Sequence, residues 1–337
     1  MHSPTEKQGE YISMSKLFQF LAVLPFLAAS VVAEDKHPAF ETVAEAGPDY
    51  AIQGEYAGEI KHDNEAVKLG IQVIALGDHK FNAVAYPGGL PGDGWNGEEK
   101  FKASGETKDG QTKIVDPEHG HAILGDGKMV LFDKEGREIG TLAKVERKSP
   151  TLGAKPPEGA VVLFDGTSAD NFKGGKIVMQ DLLLADCETK EKFGDHQLHI
   201  EFRIPFRPTA RGQERGNSGV YIQGRYECQV LDSFGLDGEN NECGGIYQIA
   251  RPKVNACFPP LTWQSYDIDF TAARYEDGKK VKNARVTIKH NGIVIHDDLE
   301  LTHGTPGKNP EADSPDVIYL QGHGNRVVYR NIWVVKK

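Results

Sequence analysis

The chain of 337 residues carries a formal net charge of −10 and an apolar content of 39%, enough to bury one large core or two moderate ones. Nucleic acid and anionic membrane surfaces repel a net-negative protein, so both are excluded as main partners. A neutral ligand such as a sugar is easier to accommodate.

A secretory signal peptide is predicted near the N-terminus. Residues 14–33 contain Lys16, an apolar run from Leu17 to Ala29, and Val31 and Ala33 at the −3 and −1 positions of a small-residue cleavage site. The preceding residues 1–13 are polar, which makes Met14 an alternative start. We expect the mature chain to begin near Glu34 and to be periplasmic or secreted. The alternative, a membrane anchor, is disfavoured because the run is too short to span a bilayer comfortably.

Residues 34–148 are predicted to form a small, β-rich accessory domain. Short apolar runs alternate with glycine-rich turns over residues 50–145, and no window has a long helical period. Trp95 lies in the exposed loop PGGLPGDGWNG. It is either a sugar-stacking residue or an aromatic anchor of the turn.

A second β domain is predicted after a linker. Residues 146–158 have the proline, lysine and serine content of a linker and no periodicity. Residues 158–337 then contain many longer strands at regular spacing, which indicates a β-sandwich or jelly roll and an all-β fold class. The dipeptide at 291–292, Asn-Gly, predicts a type I′ hairpin that places Ile288 opposite Ile295.

The four cysteines show no metal-ligand spacing. In an exported protein, disulfides are their expected use. Cys243 and Cys257 bracket a loop and are the best candidate pair, which leaves Cys187 with Cys228. The alternative for Cys228 is a small buried residue on a strand.

Strand alternation in the second domain predicts a shared polar surface. If the connection at residues 223–225 is three residues long or bulged, Tyr221 lies opposite Glu227 on the polar face. Three strands then supply carboxylate, carboxamide, imidazole and aromatic groups, which suit a polyhydroxylated ligand. The alternative is a solvated sheet face with cross-strand ion pairs. The residues expected on this surface are Glu201, Tyr221, Glu227, Gln229, Gln321 and His323.

Several separate motifs carry a family resemblance. LFDGTS, GDHQLHIEFRI, GNSGVYIQGRYECQVLDS, NACFPPLTWQSYDIDF, ARVTIKHNGIVIHDD and YLQGHGNRVVYRNIWV occur in order over roughly residues 158–337. This stretch resembles the 3-keto-disaccharide hydrolase domain family, whose fold is the concanavalin A-like lectin/glucanase jelly roll. Phe172 departs from the tryptophan expected there. The insertion at 211–215, RGQER, is expected to reshape the rim of the site.

The resemblance implies cleavage of glycosides already oxidised at C3. A C3 ketone acidifies the C2 proton, so a base can remove it, the enolate can expel the anomeric substituent, and water can add afterwards. A direct hydrolysis by two carboxylates is the other route, with Glu227 as its obvious member. Glu227 and His323 are the expected acid and base, and Arg225 or Lys253 would stabilise the enolate. The residues expected to orient sugar hydroxyls are Asn217, Tyr221, Gln229, Asn255 and Gln321.

A non-catalytic, lectin-like carbohydrate-binding protein is the competing function, because fold alone does not fix function. An enzyme needs a titratable group deep in a cleft, and Glu227 among apolar and amide neighbours favours the enzyme. The sequence contains no GxGxxG, P-loop or HExxH motif, so we expect no cofactor and no metal.

Overall fold

The computed structural model describes residues 37–63 and 65–337. The predicted signal peptide and its cleavage site lie outside the described residues. The described part contains one short α-helix, α1 Gly47–Ile52, and one 3₁₀ helix, Gly212–Glu214. Within it, no helix combines the length and the apolar character needed to cross a membrane. The remaining regular structure is antiparallel strand, so the predicted all-β class is confirmed.

The first eight strands form a closed barrel in which each strand pairs with the next and β1 also pairs with β8. Because the barrel is closed, no strand edge is left unpaired. Twisted strands joined by glycine-rich turns permit this closure. The barrel strands are β1 Gly54–His62, β2 Glu65–Gly77, β3 Lys80–Pro87, β4 Phe101–Lys108, β5 Gln111–Asp116, β6 Gly120–Gly125, β7 Lys128–Phe132 and β8 Glu138–Val145.

The barrel core is built from alternate side chains of these strands, among them Val73, Phe81 and Met129. Trp95 packs edge-on against Tyr86 with 5.0 Å between ring centroids, and its Nε1 donates to a backbone carbonyl of its own loop. These contacts are those of a turn-anchoring aromatic.

The second half of the chain forms two antiparallel sheets and a separate two-stranded ribbon. The five-stranded sheet has the order β10–β13–β22–β15–β16, and the eight-stranded sheet has the order β11–β12–β23–β14–β17–β20–β21 with β9 paired to β23. The strands are β9 Val161–Phe164, β10 Phe172–Lys173, β11 Ile177–Val178, β12 Leu182–Leu184, β13 Cys187–Thr189, β14 His196–Arg203, β15 Ser218–Ile222, β16 Tyr226–Val230, β17 Gln264–Thr271, β18 Arg274–Glu276, β19 Lys279–Lys282, β20 Ala284–His290, β21 Ile293–Leu301, β22 Tyr319–Leu320 and β23 Val328–Lys336.

The two sheets share one hydrophobic core. Val220 and Val230 of the five-stranded sheet belong to the same buried cluster as Ile200, Phe202 and Ile268 of the eight-stranded sheet. Each strand therefore has one face toward this core and one face away from it, which is the arrangement of a sandwich. The outward faces of the two sheets point to opposite sides.

The hairpin at Asn291 and Gly292 forms with both residues at positive φ, 51° and 80°. Its predicted register is wrong by one residue, because a bulge between β20 and β21 places Ile288 opposite His296. The bulge allows Ile288 and Ile295 to be buried together although they are not paired.

All four cysteines are free thiols buried in the sandwich, so the predicted Cys243–Cys257 and Cys187–Cys228 disulfides are not formed. The Cys243 Sγ lies 3.2 Å from the Tyr266 hydroxyl oxygen instead. Each cysteine serves as a small core residue, the alternative considered for Cys228.

The segment between barrel and sandwich contains no helix or strand, yet it packs on the outer face of the eight-stranded sheet. Ser149 and Thr151 both hydrogen-bond the Ser265 hydroxyl, at 2.6 and 2.8 Å. Glu201 of β14 accepts a hydrogen bond from the Gly153 amide. These bonds attach residues 149–153 to the sheet.

Glu201 is fully buried beneath this segment. Burial acts to raise its pKa, but hydrogen bonds from His199, Asn331, Gly153 and Arg330 outweigh that effect and lower the pKa to about 2. The carboxylate is therefore ionised at neutral pH and belongs to the structural framework.

We expect Glu201→Gln to lower the free energy of unfolding at pH 7 by about 2 kcal/mol, because an amide accepts these bonds more weakly than a carboxylate. A carboxyl group whose pKa is lower in the folded protein stabilises the fold at pH values above its pKa in the unfolded chain, which is near 4.3 for Glu. This stabilisation is lost as the pH falls toward the folded-state pKa of about 2. Urea unfolding of both proteins between pH 7 and pH 2 should show the difference shrinking over that range. The exposed control Glu276→Gln should match the wild type, and an equal loss in both variants would contradict the assignment.

Candidate active site

The outward face of the five-stranded sheet carries a row of polar and aromatic side chains. Tyr221 of β15 lies opposite Glu227 of β16 on one side and opposite Tyr319 of β22 on the other. Gly219 lies opposite Gln229 two residue pairs along the same two strands. Residues two apart on a strand share a face, so these side chains point away from the sandwich core together.

The three-residue connection predicted between β15 and β16 is confirmed. Ile222 pairs with Tyr226, and residues 223–225 form the turn with Gln223 and Gly224 at positive φ, 52° and 60°. A two-residue connection would have turned the polar side chains into the core. The length of this turn is therefore what places the glutamate outside.

Glu227 is the buried carboxyl group of this face, with only 3% of its surface exposed. Its Oε2 accepts a hydrogen bond of 2.9 Å from the Tyr221 hydroxyl. A side chain at Gly219 would collide with this carboxyl group, so the glycine leaves the space that it occupies. Burial raises the pKa of Glu227 to about 7, although the Tyr221 hydrogen bond acts to lower it. At neutral pH the group can both accept and donate a proton.

The Tyr221 hydroxyl connects Glu227 to its surroundings. It lies 2.9 Å from Glu227 Oε2 and 3.0 Å from the Pro306 carbonyl oxygen, and the Gln321 amide donates to it at 3.2 Å. One hydroxyl proton serves only one acceptor at a time. When Glu227 is protonated, it can donate to Tyr221 while Tyr221 donates to Pro306; when Glu227 is ionised, the Tyr221 proton turns to the carboxylate.

Amide side chains lie next to this pair. Asn217 Nδ2 donates to Gln213 Oε1 at 2.9 Å, and Gln229 Nε2 reaches the same oxygen at 3.4 Å. Among the described residues, no donor reaches the buried side-chain oxygens of Asn217 and Gln321. Amide oxygens and a carboxyl group in one place suit a ligand with many hydroxyl donors.

Arg225 has a different place from the one predicted. Its guanidinium is buried and donates to the carbonyls of Pro310 and Ser314 and to the Gln223 side chain, and it lies 3.4 Å from an Asp316 oxygen. These bonds fix the loop at 302–318 that follows β21. Arg225 therefore positions the loop that contacts Tyr221, and its donors are not free to stabilise an enolate.

Lys253 and Asn255 are not brought to this face. Lys253 is exposed and lies 3.6 Å from Asp297, and its backbone amide donates to Ile295 of the eight-stranded sheet. Asn255 donates to the carbonyls of Ser233 and Leu236 and is occupied within its own loops. Their predicted roles do not fit these positions.

Two other predicted members of the polar surface also lie apart. His323 is exposed in the turn after β22, and its carbonyl accepts a hydrogen bond from Asn325. No contact joins the His323 side chain to Glu227 within the described residues. Glu201 was expected on the same surface, but it belongs to the eight-stranded sheet and faces the other side of the sandwich. Alternation within one strand could not show which sheet that strand joins.

Sequence reasoning missed the loop at 302–318; it expected the insertion at 211–215 at the rim of the site but gave no role to Gln213, which lies in the 3₁₀ helix there. Thr305 bonds the Glu227 amide at 2.9 Å, and a side chain at Gly307 would collide with the Tyr221 hydroxyl. The Thr-Pro-Gly signal at 305–307 marks a turn, but only tertiary contact places it over Tyr221. In the described part of the chain, no group of three or more His, Cys, Asp or Glu side chains could hold a metal ion.

The sheets and this face define an all-β protein with a buried acid beside a cluster of amides. The family profile described as "3-keto-alpha-glucoside-1,2-lyase-like domain" matches residues 159–335. The chain belongs to this family, as its motifs predicted, and the name supports a glycoside-cleaving activity.

Solved structures with similarity include three described as putative glycosyl hydrolases from Parabacteroides distasonis ATCC 8503. One is 30% identical, with a TM-score of 0.49 over 54% of this chain and 85% of the other. The second is 18% identical, with a TM-score of 0.40 over 53% and 94%. The third is 19% identical, with a TM-score of 0.39 over 53% and 99%. Among proteins of curated function, none matches the sequence.

We expect Tyr221→Phe to raise the pKa of Glu227 above its value of about 7, because the variant loses the hydrogen bond that favours the ionised carboxylate. Carbon-13 NMR of labelled glutamate carboxyl groups during a pH titration measures this directly. The control Tyr275→Phe, on the two-stranded ribbon, should leave the midpoint unchanged. An unchanged or lower midpoint in Tyr221→Phe would contradict the arrangement.

Proposed function

We propose that this protein cleaves glycosides oxidised at C3 of the sugar by removing the C2 proton, with Glu227 as the acid and base. The observation that carries the proposal is the buried Glu227 carboxyl, whose pKa of about 7 leaves both protonation states populated at neutral pH. The family to which the chain belongs, with its 1,2-lyase description, supports the same chemistry.

The reaction proceeds in two stages. Ionised Glu227 takes the C2 proton, and the electron pair of the C2–H bond forms an enolate with its charge on O3. The C3 carbonyl then re-forms, the C1–C2 double bond forms, the C1–O bond breaks, and the leaving oxygen takes the proton held by Glu227. Water adds at C1 and a proton returns to C2, which gives the free 3-keto sugar.

Neutral donors beside Glu227 suit the enolate step. Once Glu227 has taken the proton, its neutral carboxyl group no longer accepts a charge-assisted hydrogen bond from Tyr221. The Tyr221 hydroxyl can then donate to O3 of the sugar, which carries the negative charge of the enolate. The Gln321 amide is bonded to the same hydroxyl at 3.2 Å. Tyr221 and Gln321 therefore replace Arg225 and Lys253 in the proposed stabilisation of the enolate.

The positions of the carboxylates favour this route over direct hydrolysis. Within the strands of the five-stranded sheet, the other outward-facing carboxylate is Glu188 of β13. Three strand spacings separate β13 from β16, about 14 Å, whereas glycosidase pairs lie about 5–9.5 Å apart. Glu188 is therefore too far from Glu227 to complete such a pair.

The N-terminal segment and the two β-rich parts of the chain have separate proposed roles. Residues 14–33 would direct export, so that the mature protein acts in the periplasm or outside the cell. Residues 34–148, which include the barrel strands, would serve as an accessory module, and residues 158–337 would form the catalytic domain. Fractionation of cells that produce the full chain, with N-terminal sequencing, would test the export step.

The direct test is to incubate the purified mature chain with a 3-keto-disaccharide and with the matching unoxidised disaccharide, following release of the reducing sugar. We expect turnover of the keto substrate alone, and a loss of at least about 100-fold in Glu227→Gln, since general acid–base groups contribute factors of this size. The matched control Glu276→Gln should keep the wild-type rate. Binding without cleavage of either sugar would instead support the lectin-like alternative.

A further inference from the structure

Gln213 lies at the edge of the polar face and bonds two of its amides. Its Oε1 accepts a hydrogen bond from Asn217 Nδ2 at 2.9 Å and lies 3.4 Å from Gln229 Nε2. Its Nε2 donates to the Asn241 carbonyl oxygen at 2.8 Å. Turning the Gln213 amide over would place its NH2 group against two other amide donors and its oxygen against a carbonyl oxygen. These partners therefore allow a single orientation of the Gln213 amide.

The orientation of Gln213 decides what Asn217 offers to a ligand. Because Gln213 Oε1 accepts from the Asn217 NH2 group, the Asn217 Oδ1 atom lies on the other side of the amide. Among the described residues, no donor reaches this buried oxygen. A buried acceptor without a donor is costly, and a ligand hydroxyl can remove that cost. Gln213 thus presents the Asn217 oxygen to a sugar through its bond to the Asn217 NH2 group.

The chain segment that carries Asn241 packs on the outer wall of the barrel. Within this segment, Phe234 is buried in one cluster with Ile74 of β2 and Val84 of β3. These two barrel side chains alternate with those of the barrel core, so they face outward. A side chain at Gly235 would collide with Ile74. The backbone of the segment therefore lies directly against the barrel.

Two polar contacts attach the same region to the barrel. Asp237 of the segment forms ion pairs with two lysines of the barrel side. The Arg211 guanidinium donates to the Leu76 carbonyl of β2 at 3.0 Å. Arg211 immediately precedes the 3₁₀ helix that carries Gln213. Both partners of the Gln213–Asn241 hydrogen bond are therefore attached to the barrel.

We propose that the barrel positions the amides of the active site, and that Gln213 is the residue through which it acts. The barrel holds the segment of Asn241 and the helix of Gln213, and the bond between them fixes the amide that orients Asn217 and Gln229. Gln213 is a positioning residue, because it acts through these two side chains. The inference rests on the proposed function and gives the barrel a part in a reaction that takes place on the sandwich.

The first test removes the Gln213 amide. We expect Gln213→Met to lower kcat/KM for the 3-keto-disaccharide by about tenfold, because the Asn217 amide is then free to turn and misplaces the bound sugar. The exposed control Gln111→Met, on strand β5 of the barrel, should match wild type. An unchanged kcat/KM in Gln213→Met would overturn the proposal.

The second test makes the same truncation on the two faces of β2. Ile74 packs against Phe234, whereas Ile71 belongs to the barrel core. We expect Ile74→Ala to lower kcat/KM by about fivefold and Ile71→Ala by less than about twofold, at a temperature at which circular dichroism shows both folded. In a Gln213→Met background, Ile74→Ala should cost less than about twofold more, because two changes on one route are not additive.

A merely destabilising effect would give other results. Equal losses in Ile74→Ala and Ile71→Ala would overturn the proposal. So would a loss in Ile74→Ala that is as large with Gln213→Met as without it. Should Ile74→Ala fold poorly, the smaller truncation Val84→Ala on the outer wall is compared with Val73→Ala in the barrel core, with the same expected difference.

A spectroscopic measurement separates this proposal from the proposed function. If the 3-keto-disaccharide is not cleaved, the function fails, and the side-chain NH2 signal of Asn217 in nitrogen-15 NMR spectra decides the positioning. This signal is assigned by its absence in Asn217→Asp. A shift in Ile74→Ala that is absent in Ile71→Ala would retain the proposal, and no shift, or the same shift in both variants, would reject it.

Discussion

The register that pairs Tyr221 with Glu227 is the constraint on which the site depends. It holds a carboxyl group on the outward face, opposite a tyrosine that can bond it and diagonal to a glycine that leaves space for it. A slip of one residue would turn Glu227 into the core and Cys228 outward. The three-residue turn at 223–225 prevents this slip, and Arg225 within it also fixes the loop that covers Tyr221.

Two buried glutamates on opposite sides of the sandwich show how environment separates their roles. Glu201 accepts hydrogen bonds from several donors, including Arg330, and its pKa falls to about 2. Glu227 has a single hydroxyl partner, and its pKa rises to about 7. Desolvation acts on both carboxyls in the same direction, so the number and charge of their donors decide the difference. Glu201 helps to attach residues 149–153 to the eight-stranded sheet, whereas Glu227 can exchange a proton near neutral pH.

The sequence was most informative where contacts are local. Alternation and turn length predicted the outward positions of Tyr221, Glu227 and Gln229, and Asn-Gly predicted the hairpin at 291–292. Placement failed where it depends on distant partners. Glu201 has the same local pattern but joins the other sheet, and the partners of Arg225 lie about 90 residues further along the chain. Cys243 and Cys257 read as a loop-closing pair, yet both are packed into the core as thiols.

The most direct measurement is the fate of the C2 hydrogen when a 3-keto-disaccharide is cleaved in deuterium oxide. Proton abstraction by Glu227 predicts that the released 3-keto sugar carries deuterium at C2, formed at the rate of cleavage and well above the exchange seen without enzyme. Product that retains its C2 hydrogen while cleavage proceeds would contradict the account, because it would mean that the C1–O bond breaks without an enolate.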